Sequence, residues 1–249
     1  MAGGRKNTSN VPDCIRFATW NIGTMSGRAA EVVETLHRRK IDVCCVQETR
    51  WTGAVGKGMS RYKFFWQGCK DGTAGVGLLI SDRWINRIID VKRMNERIMC
   101  LKVLIGDKLV TCICTYVPQT GRIAEEKDSF LDQMISVTGN IPASELIVVG
   151  GDLNDHVRTN VDGCDGVHGG YGFGERNADG EQILEFCDAM ELIVTNTCFK
   201  RQKNKLATYV SGGTASAINY LLLRGCDGRH IKTSKSLLEN SITASVTCW

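Results

Sequence analysis

Carboxylates, amides and one phenol stand at the ends of apolar runs in this 249-residue chain: Asn21 in TWNI, Glu48 in VQET, Tyr116 in TYVP, and Asp152 and Asn154 in GGDLN. Strand ends are where a rigid scaffold hands side chains to solvent, and sites are built there. A single Asn or Asp after a strand is ordinarily a turn former. Four such ends, each preceded by a run of buried-type residues, point instead to a shared task. No histidine or thiol ligand pattern accompanies them, so the set is rich in oxygen and suits a hard divalent cation, Mg2+ or Mn2+. With such an ion, one carboxylate holds the metal, which neutralises a phosphoryl oxygen and stabilises a leaving alkoxide. A second carboxylate positions or deprotonates the attacking water. Asparagine donors then stabilise negative charge developing on phosphorus.

Elements that could position these residues recur along the chain. Short β-branched and cysteine-rich runs read as strands: IRFATWNI, IDVCCVQE, KFFWQGC, GVGLLIS, RIMCLKVLI, LVTCICTYVP, ELIVVGGDLN, ATYVS and AINYLLLR. Helical periodicity fills the gaps between them. Residues 28–39 set Val32, Val33 and Leu36 on one face, and residues 125–137 do the same with Phe130, Leu131, Met134 and Ile135. Residues 179–192 repeat it with Ile183, Leu184, Phe186 and Cys187. RIMCLKVLI and LVTCICTYVP, joined at Gly106-Asp107-Lys108, form an antiparallel hairpin, whereas IDVCCVQE and ELIVVGGDLN each follow a helix in βαβ style. About nine strands are too many for one open twisted sheet, so the pattern predicts an α/β fold with two packed sheets and helices outside. Residues 1–13 are polar and glycine-rich and read as a loose tail, and residues 14–249 form one domain.

Composition bounds the partners. Hydrophobic residues make up 43% and charged residues 23% of the chain, the profile of a folded domain. No apolar stretch approaches the roughly 20 residues of a membrane helix. The twelve cysteines include no CxxC pair, and several lie inside apolar runs, so they read as reduced core thiols in an intracellular protein. A net charge of +4 permits a polyanionic partner. The cations cluster in His37-Arg38-Arg39-Lys40, in residues 83–97 with five of them, and at Lys200, Arg201, Lys203 and Lys205. GYGFG is not a dinucleotide-binding turn, because no strand directly precedes it.

The order WNI, QET, TYVP, GDLN and a late INY strand resembles the endonuclease/exonuclease/phosphatase superfamily, with the match running from about Phe17 to Leu223. QETRW, GDLNDHV and GFGERNADGEQILEFCDAMELIVTNTCF narrow the resemblance to endonuclease domains of RTE-type non-LTR retrotransposons (LINE elements). It implies a deoxyribonuclease I-like four-layer sandwich, two mixed β-sheets flanked by helices, with the site at the rim where the sheets meet. It also implies a Mg2+-dependent hydrolase that cuts a phosphodiester bond in DNA, a monomer without a small-molecule cofactor, resident in the nucleus. Carried onto this chain, Glu48 would hold the metal with help from Asn21, and Asp152 would orient or activate water. Asn154 would bind the scissile phosphate, and Tyr116 would line the same pocket. Thr208 would stand near the phosphate, while Tyr171 and Arg176 in the glycine-rich stretch 162–177 would lie along the DNA. His156 does not match the family's catalytic histidine.

Two departures concern one functional unit. The family's late strand reads (I/L)DY, its aspartate pairing with a histidine in a terminal (S/T)xH motif. This chain has Asn219 in INY, and no histidine follows His230. An amide cannot supply the charge that fixes such a histidine; in the serine-protease triad the analogous change costs about four powers of ten in turnover. One permitted set of codons for the final ITASVTCW, read from the next base, encodes Ser-Gln-His-Arg-Leu-Leu-Val, so the domain is expected to be C-terminally truncated or frame-shifted. The expectation is therefore an endonuclease domain impaired in this chain, with a catalytically inactive, domesticated or decayed copy that keeps the fold and weak DNA or protein binding as the alternative.

Overall fold

The computed structural model describes residues 14–119, 121, 123–154, 166–171, 178–202, 209–211, 214–225, 228 and 231–234. Thr208, Arg176, His156, residues 1–13 and the final ITASVTCW segment lie outside the described residues.

Among the described residues, thirteen strands and four α-helices follow one another: β1 (Phe17–Asn21), α1 (Ala29–Arg38), β2 (Val43–Gln47), β3 (Gly56–Met59), β4 (Tyr62–Gln67), β5 (Val76–Ser81), α2 (Asp82–Ile85), β6 (Ile88–Asn95), β7 (Ile98–Ile105), β8 (Lys108–Tyr116), α3 (Ala124–Gly139), β9 (Leu146–Asp152), α4 (Ala178–Ala189), β10 (Leu192–Val194), β11 (Tyr209–Ser211), β12 (Thr214–Ser216) and β13 (Asn219–Arg224). They build a five-stranded sheet in the order β1-β2-β5-β4-β3, a six-stranded sheet in the order β10-β13-β9-β8-β7-β6, and a small β11-β12 hairpin. Both large sheets are mixed. The β1–β2 and β8–β9 pairs are parallel, bridged by α1 and α3, and their other pairings are antiparallel.

Strand periodicity sorts side chains between the layers. Phe17, Val43, Cys45, Leu78, Leu101, Cys112, Cys114, Val148 and Leu221 meet in the core between the sheets. Their strand neighbours Ala18, Trp20, Cys44, Val46, Phe64 and Leu79 face outward onto Val32, Val33 and Leu36 of α1. On the far side Ile113, Ile147, Val149, Tyr220 and Leu222 pack under Phe130 and Met134 of α3 and Ile183, Leu184, Phe186 and Cys187 of α4. The result is helix, sheet, sheet, helix. A strand covered on both faces reads as a continuous apolar run, which is why VCCV and LIVV lack polar alternation. The described cysteines are free thiols, and six of them are buried.

Several elements depart from expectation. β3, β6, β10 and β12 are additional strands, and α2 is an additional single turn of helix. β6 falls in the stretch read from sequence as a cluster of cations; it is an edge strand whose Asp90 and Lys92 face solvent, the charge pattern that keeps an edge from pairing further. On α3 the buried line is Phe130, Met134 and Thr138, while Ile135 is 40% exposed. No helix of the described residues is long and apolar enough to cross a membrane.

Candidate active site

Register alone assembles the first row of the site. The parallel strands β8 and β9 end together with Tyr116 opposite Asp152, and β13 runs back against β9 from Asn219, which also pairs with Asp152. In the other sheet β1 ends on Asn21 opposite Gln47, and Glu48 is the next residue. Both sheets thus present polar strand ends at the same rim. They can approach closely there because Gly150 of β9 faces the other sheet without a side chain, while Gly151 leaves room for Thr115 on the neighbouring strand β8. A Cβ on Gly150 would meet Cys45 Sγ at 2.8 Å, and one on Gly151 would meet Thr115 Cγ2 at 2.3 Å.

An amide and a phenol join the two sheets at the rim. Asn21 Nδ2 donates to Glu48 Oε1 at 2.8 Å and to Asp152 Oδ2 at 2.8 Å, while Asn21 Oδ1 accepts from the backbone of Gly23 at 3.0 Å. Tyr116 OH donates to Glu48 Oε1 at 3.1 Å and accepts from Gln119 Nε2 at 3.1 Å. Arg50 Nη2 donates to Glu48 Oε2 at 3.0 Å. Asp152 Oδ1 accepts from the backbone of Asn154 at 3.0 Å, and Asn154 Nδ2 donates to the carbonyl of Val117 at 2.7 Å. Each carboxylate therefore takes hydrogen bonds on both oxygens. Burial, followed by the charges of Glu48 and Asp152, raises the Tyr116 pKa far above the ordinary value, so the phenol stays a donor.

Backbone strain sits at the same place. Glu48 at φ +54° and Asn154 at φ +54° both adopt the left-handed region, which non-glycine residues occupy at a cost of order 1 kcal/mol. Arg97 braces the pocket from behind, its guanidinium 5.2 Å from the Tyr116 ring centre and its Nη1 donating to the Tyr116 carbonyl at 3.2 Å.

Of the residues singled out in the sequence, Asn21, Glu48, Tyr116, Asp152 and Asn154 come together. Asn219 is buried at the start of β13 beside them, its carbonyl accepting from Asn196 Nδ2 at 3.2 Å. Tyr171 is 40% exposed and its backbone donates to the Thr197 carbonyl at 3.1 Å; among the described residues no hydrogen bond ties it to the carboxylates. Arg50 and Gln119 were not singled out, and Arg97 was named only within the cluster of cations at 83–97. Arg50 stands inside the quoted QETRW and could have been flagged as the charge two residues from Glu48; Gln119 and Arg97 carry no local signal.

Residues 18–178 match the model of the Endonuclease/Exonuclease/phosphatase family, and the chain belongs to it. Its fold is the deoxyribonuclease I-like sandwich of two mixed sheets. Among particular proteins it is similar to craniofacial development protein 2 of Bos taurus, 26% identical over 212 residues, which cover 84% of this chain and 36% of that protein. The chain thus spans about a third of the length of the curated relatives it matches. Solved structures with the same fold include the AP endonuclease LMAP from Leishmania major, with a TM-score of 0.73 and 13% identity over 98% of this chain and 92% of that one. The endonuclease domain of TRAS1, a telomere-specific non-LTR retrotransposon, has a TM-score of 0.70 and 16% identity over 94% of this chain and 98% of that one. The 3' phosphatase NExo from Neisseria, bound to a product DNA hairpin, has a TM-score of 0.72 and 13% identity over 94% of this chain and 100% of that one.

Proposed function

We propose that this chain is a divalent-cation-dependent DNA endonuclease domain of retrotransposon origin, which hydrolyses a phosphodiester bond and is impaired at position 219. One observation carries the reading. Glu48 and Asp152, from different sheets, share a single amide donor at 2.8 Å each, so two carboxylates are held side by side at the rim where the sheets meet.

The donor set fits Mg2+ or Mn2+. Among the described residues no group of three or more His, Cys, Asp or Glu side chains forms a metal cage. That suits an ion that keeps its waters and takes one or two carboxylates plus a substrate phosphate. Glu48 would hold it with help from Asn21. When bound, the ion would neutralise a phosphoryl oxygen and stabilise the leaving alkoxide.

The chain's own residues do the rest. Asn21 and Tyr116 fix Glu48 Oε1, so the carboxylate cannot rotate away. Asp152, pinned by Asn21 and the Asn154 amide, offers its remaining lone pairs to orient or deprotonate water. Asn154 reaches the scissile phosphate from the left-handed turn after β9. Thr208, Tyr171 and Arg176 extend the contact along the DNA, and the basic clusters supply sequence-independent attraction. The DNA hairpin bound by NExo and the retrotransposon origin of TRAS1 support DNA as the substrate; that substrate in turn supports action in the nucleus, by a monomer.

Asn219 favours a second reading, a copy that binds DNA without cutting it. Nicking of supercoiled plasmid in Mg2+ separates the two. Slow nicking that disappears in Asp152→Ala supports the endonuclease. Salt-dependent DNA affinity without nicking selects the binding protein. Nicking that survives Asp152→Ala overturns the site.

A further inference from the structure

Glu48 already carries a counter-ion. Its side chain is 15% exposed, and the guanidinium on its Oε2, from Arg50, is 52% exposed, so the arginine forms the open face of the pair. The backbone enforces this contact. Glu48 at φ +54° and Arg50 at φ +51° are both left-handed, and the residue between them is locked into the sheet. Thr49 and Arg50 donate their amides to the carbonyls of Gly75 at 3.1 Å and Ala74 at 3.0 Å. Gly75 leaves no slack, since a Cβ there would stand 2.4 Å from Thr49 Oγ1. Two left-handed residues flanking a pinned one bring side chains two positions apart face to face, at a cost in strain that a surface ion pair alone does not offset.

The two oxygens of Glu48 are accordingly divided. Oε1 takes the neutral donors Asn21 and Tyr116, and Oε2 takes the only cation in hydrogen-bonding contact with it among the described residues. A divalent ion that binds Glu48 competes with Arg50 for the same negative charge. A displaced guanidinium remains tethered two residues away, and its planar fork matches a phosphate. We propose that Arg50 is a positioning residue that couples cation and phosphate binding: it neutralises Glu48 in the resting site, yields the carboxylate to the divalent ion, and then holds the DNA phosphate. This inference rests on the metal-dependent reading above.

Mn2+ binding to the full chain, followed by electron paramagnetic resonance of the free ion, tests the first half without any turnover. Arg50→Gln should bind Mn2+ roughly threefold or more tightly than the unmodified chain, the size of a partly exposed ion pair. Arg50→Lys should stay near the unmodified value. Fluorescence anisotropy with a labelled DNA duplex tests the second half. Arg50→Gln should lose several-fold in affinity in Ca2+ and nothing in EDTA. Arg50→Lys, which keeps the charge without the fork, should lose affinity in Ca2+ too. Thermal melts close to that of the unmodified chain establish that both variants fold.

The inference is overturned if Arg50→Gln leaves Mn2+ affinity unchanged or weaker, or if its DNA loss is equal in Ca2+ and EDTA. Glu48→Gln separates that failure from a failure of the metal reading. If Glu48→Gln binds Mn2+ as well as the unmodified chain, the ion is not held by Glu48, and both readings fall. If Glu48→Gln loses the ion while Arg50→Gln gains nothing, only the role of Arg50 falls.

Discussion

On the β1–β2 side of the rim each oxygen of Glu48 meets a donor, from Asn21, Tyr116 or Arg50. On the β13 side the residue paired with Asp152 is a neutral amide, Asn219. Both sides are placed by the same device, strand register at the close of a mixed sheet. They differ in charge. Putting two anions within reach of one amide requires many hydrogen bonds and two left-handed residues, and the β1–β2 side supplies them. The β13 side is as well buried and as regular, yet it carries no charge that has to be compensated. The comparison teaches that fold and charge are separable here: the strand that delivers position 219 forms with an amide, and its register opposite Asp152 requires no charge.

The largest effect should come from breaking the charged side. Glu48→Gln or Asp152→Asn should lower whatever Mg2+-dependent plasmid nicking the chain shows by at least about a hundredfold, the usual range for a general base or an electrostatic partner. Equal rates in both variants and the unmodified chain would move the chemistry elsewhere.

Next is the packing of β9 against β8. Gly151→Ala places a Cβ 2.3 Å from Thr115 Cγ2 and 2.6 Å from the Thr115 carbonyl, an overpacking that should cost about 1–3 kcal/mol in urea denaturation. Gly58→Ala on the edge strand β3 meets nothing within 4 Å and should stay within about 0.5 kcal/mol. Equal costs at the two sites would mean that Thr115 on β8 does not require a glycine at position 151.

Asn219→Asp sharpens the contrast further. A second carboxylate opposite Asp152, at a position only 1% exposed, is raised in pKa by burial and by its like-charged neighbour. A raised folded-state pKa means the penalty is absent below the unfolded value near pH 4. It grows as pH rises toward the folded value, to about 1–2 kcal/mol at pH 7. Denaturation at pH 4 and pH 7 measures it. Plasmid nicking tests the impairment proposed at position 219: a tenfold gain in Asn219→Asp supports it, and an unchanged rate places the impairment elsewhere.

The smallest effect is spectroscopic. Tyr116 and Tyr62 both have pKa values pushed well above 10, chiefly by burial. For both, the stabilisation of the neutral phenol is fully present below about pH 10 and is lost as pH rises through the higher folded value. Phenolate absorbance between pH 9 and 10.5 should therefore be the same in Tyr116→Phe as in the unmodified chain. A drop in Tyr116→Phe would show that the pocket is open to water.

Much of the fold was legible. The apolar runs gave nine strands, and α1, α3 and α4 fell within two or three residues of their periodic segments, because burial on one face leaves a period in the chain. β6 was hidden because an edge strand is selected for charge rather than apolarity. β10 and β12 were hidden because three residues hold too little pattern. Ile135 misled because four apolar residues on α3 exceed the face that the sheet covers. Asn21, Glu48, Tyr116, Asp152 and Asn154 were found because polar residues closing apolar strands stand out locally. Arg50 and Gln119 were missed because their role exists only through partners.

What the sequence determined by itself is therefore the kind of each side chain and the strand end it occupies. Those depend on neighbours a few residues away. Only the tertiary structure decided that Asn21 reaches Asp152 across 131 positions, that Glu48 and Arg50 turn left-handed to face each other, and that Asn219 lands opposite Asp152. Contacts between distant segments are fixed by the register and packing of whole sheets, and no local stretch of residues contains that information.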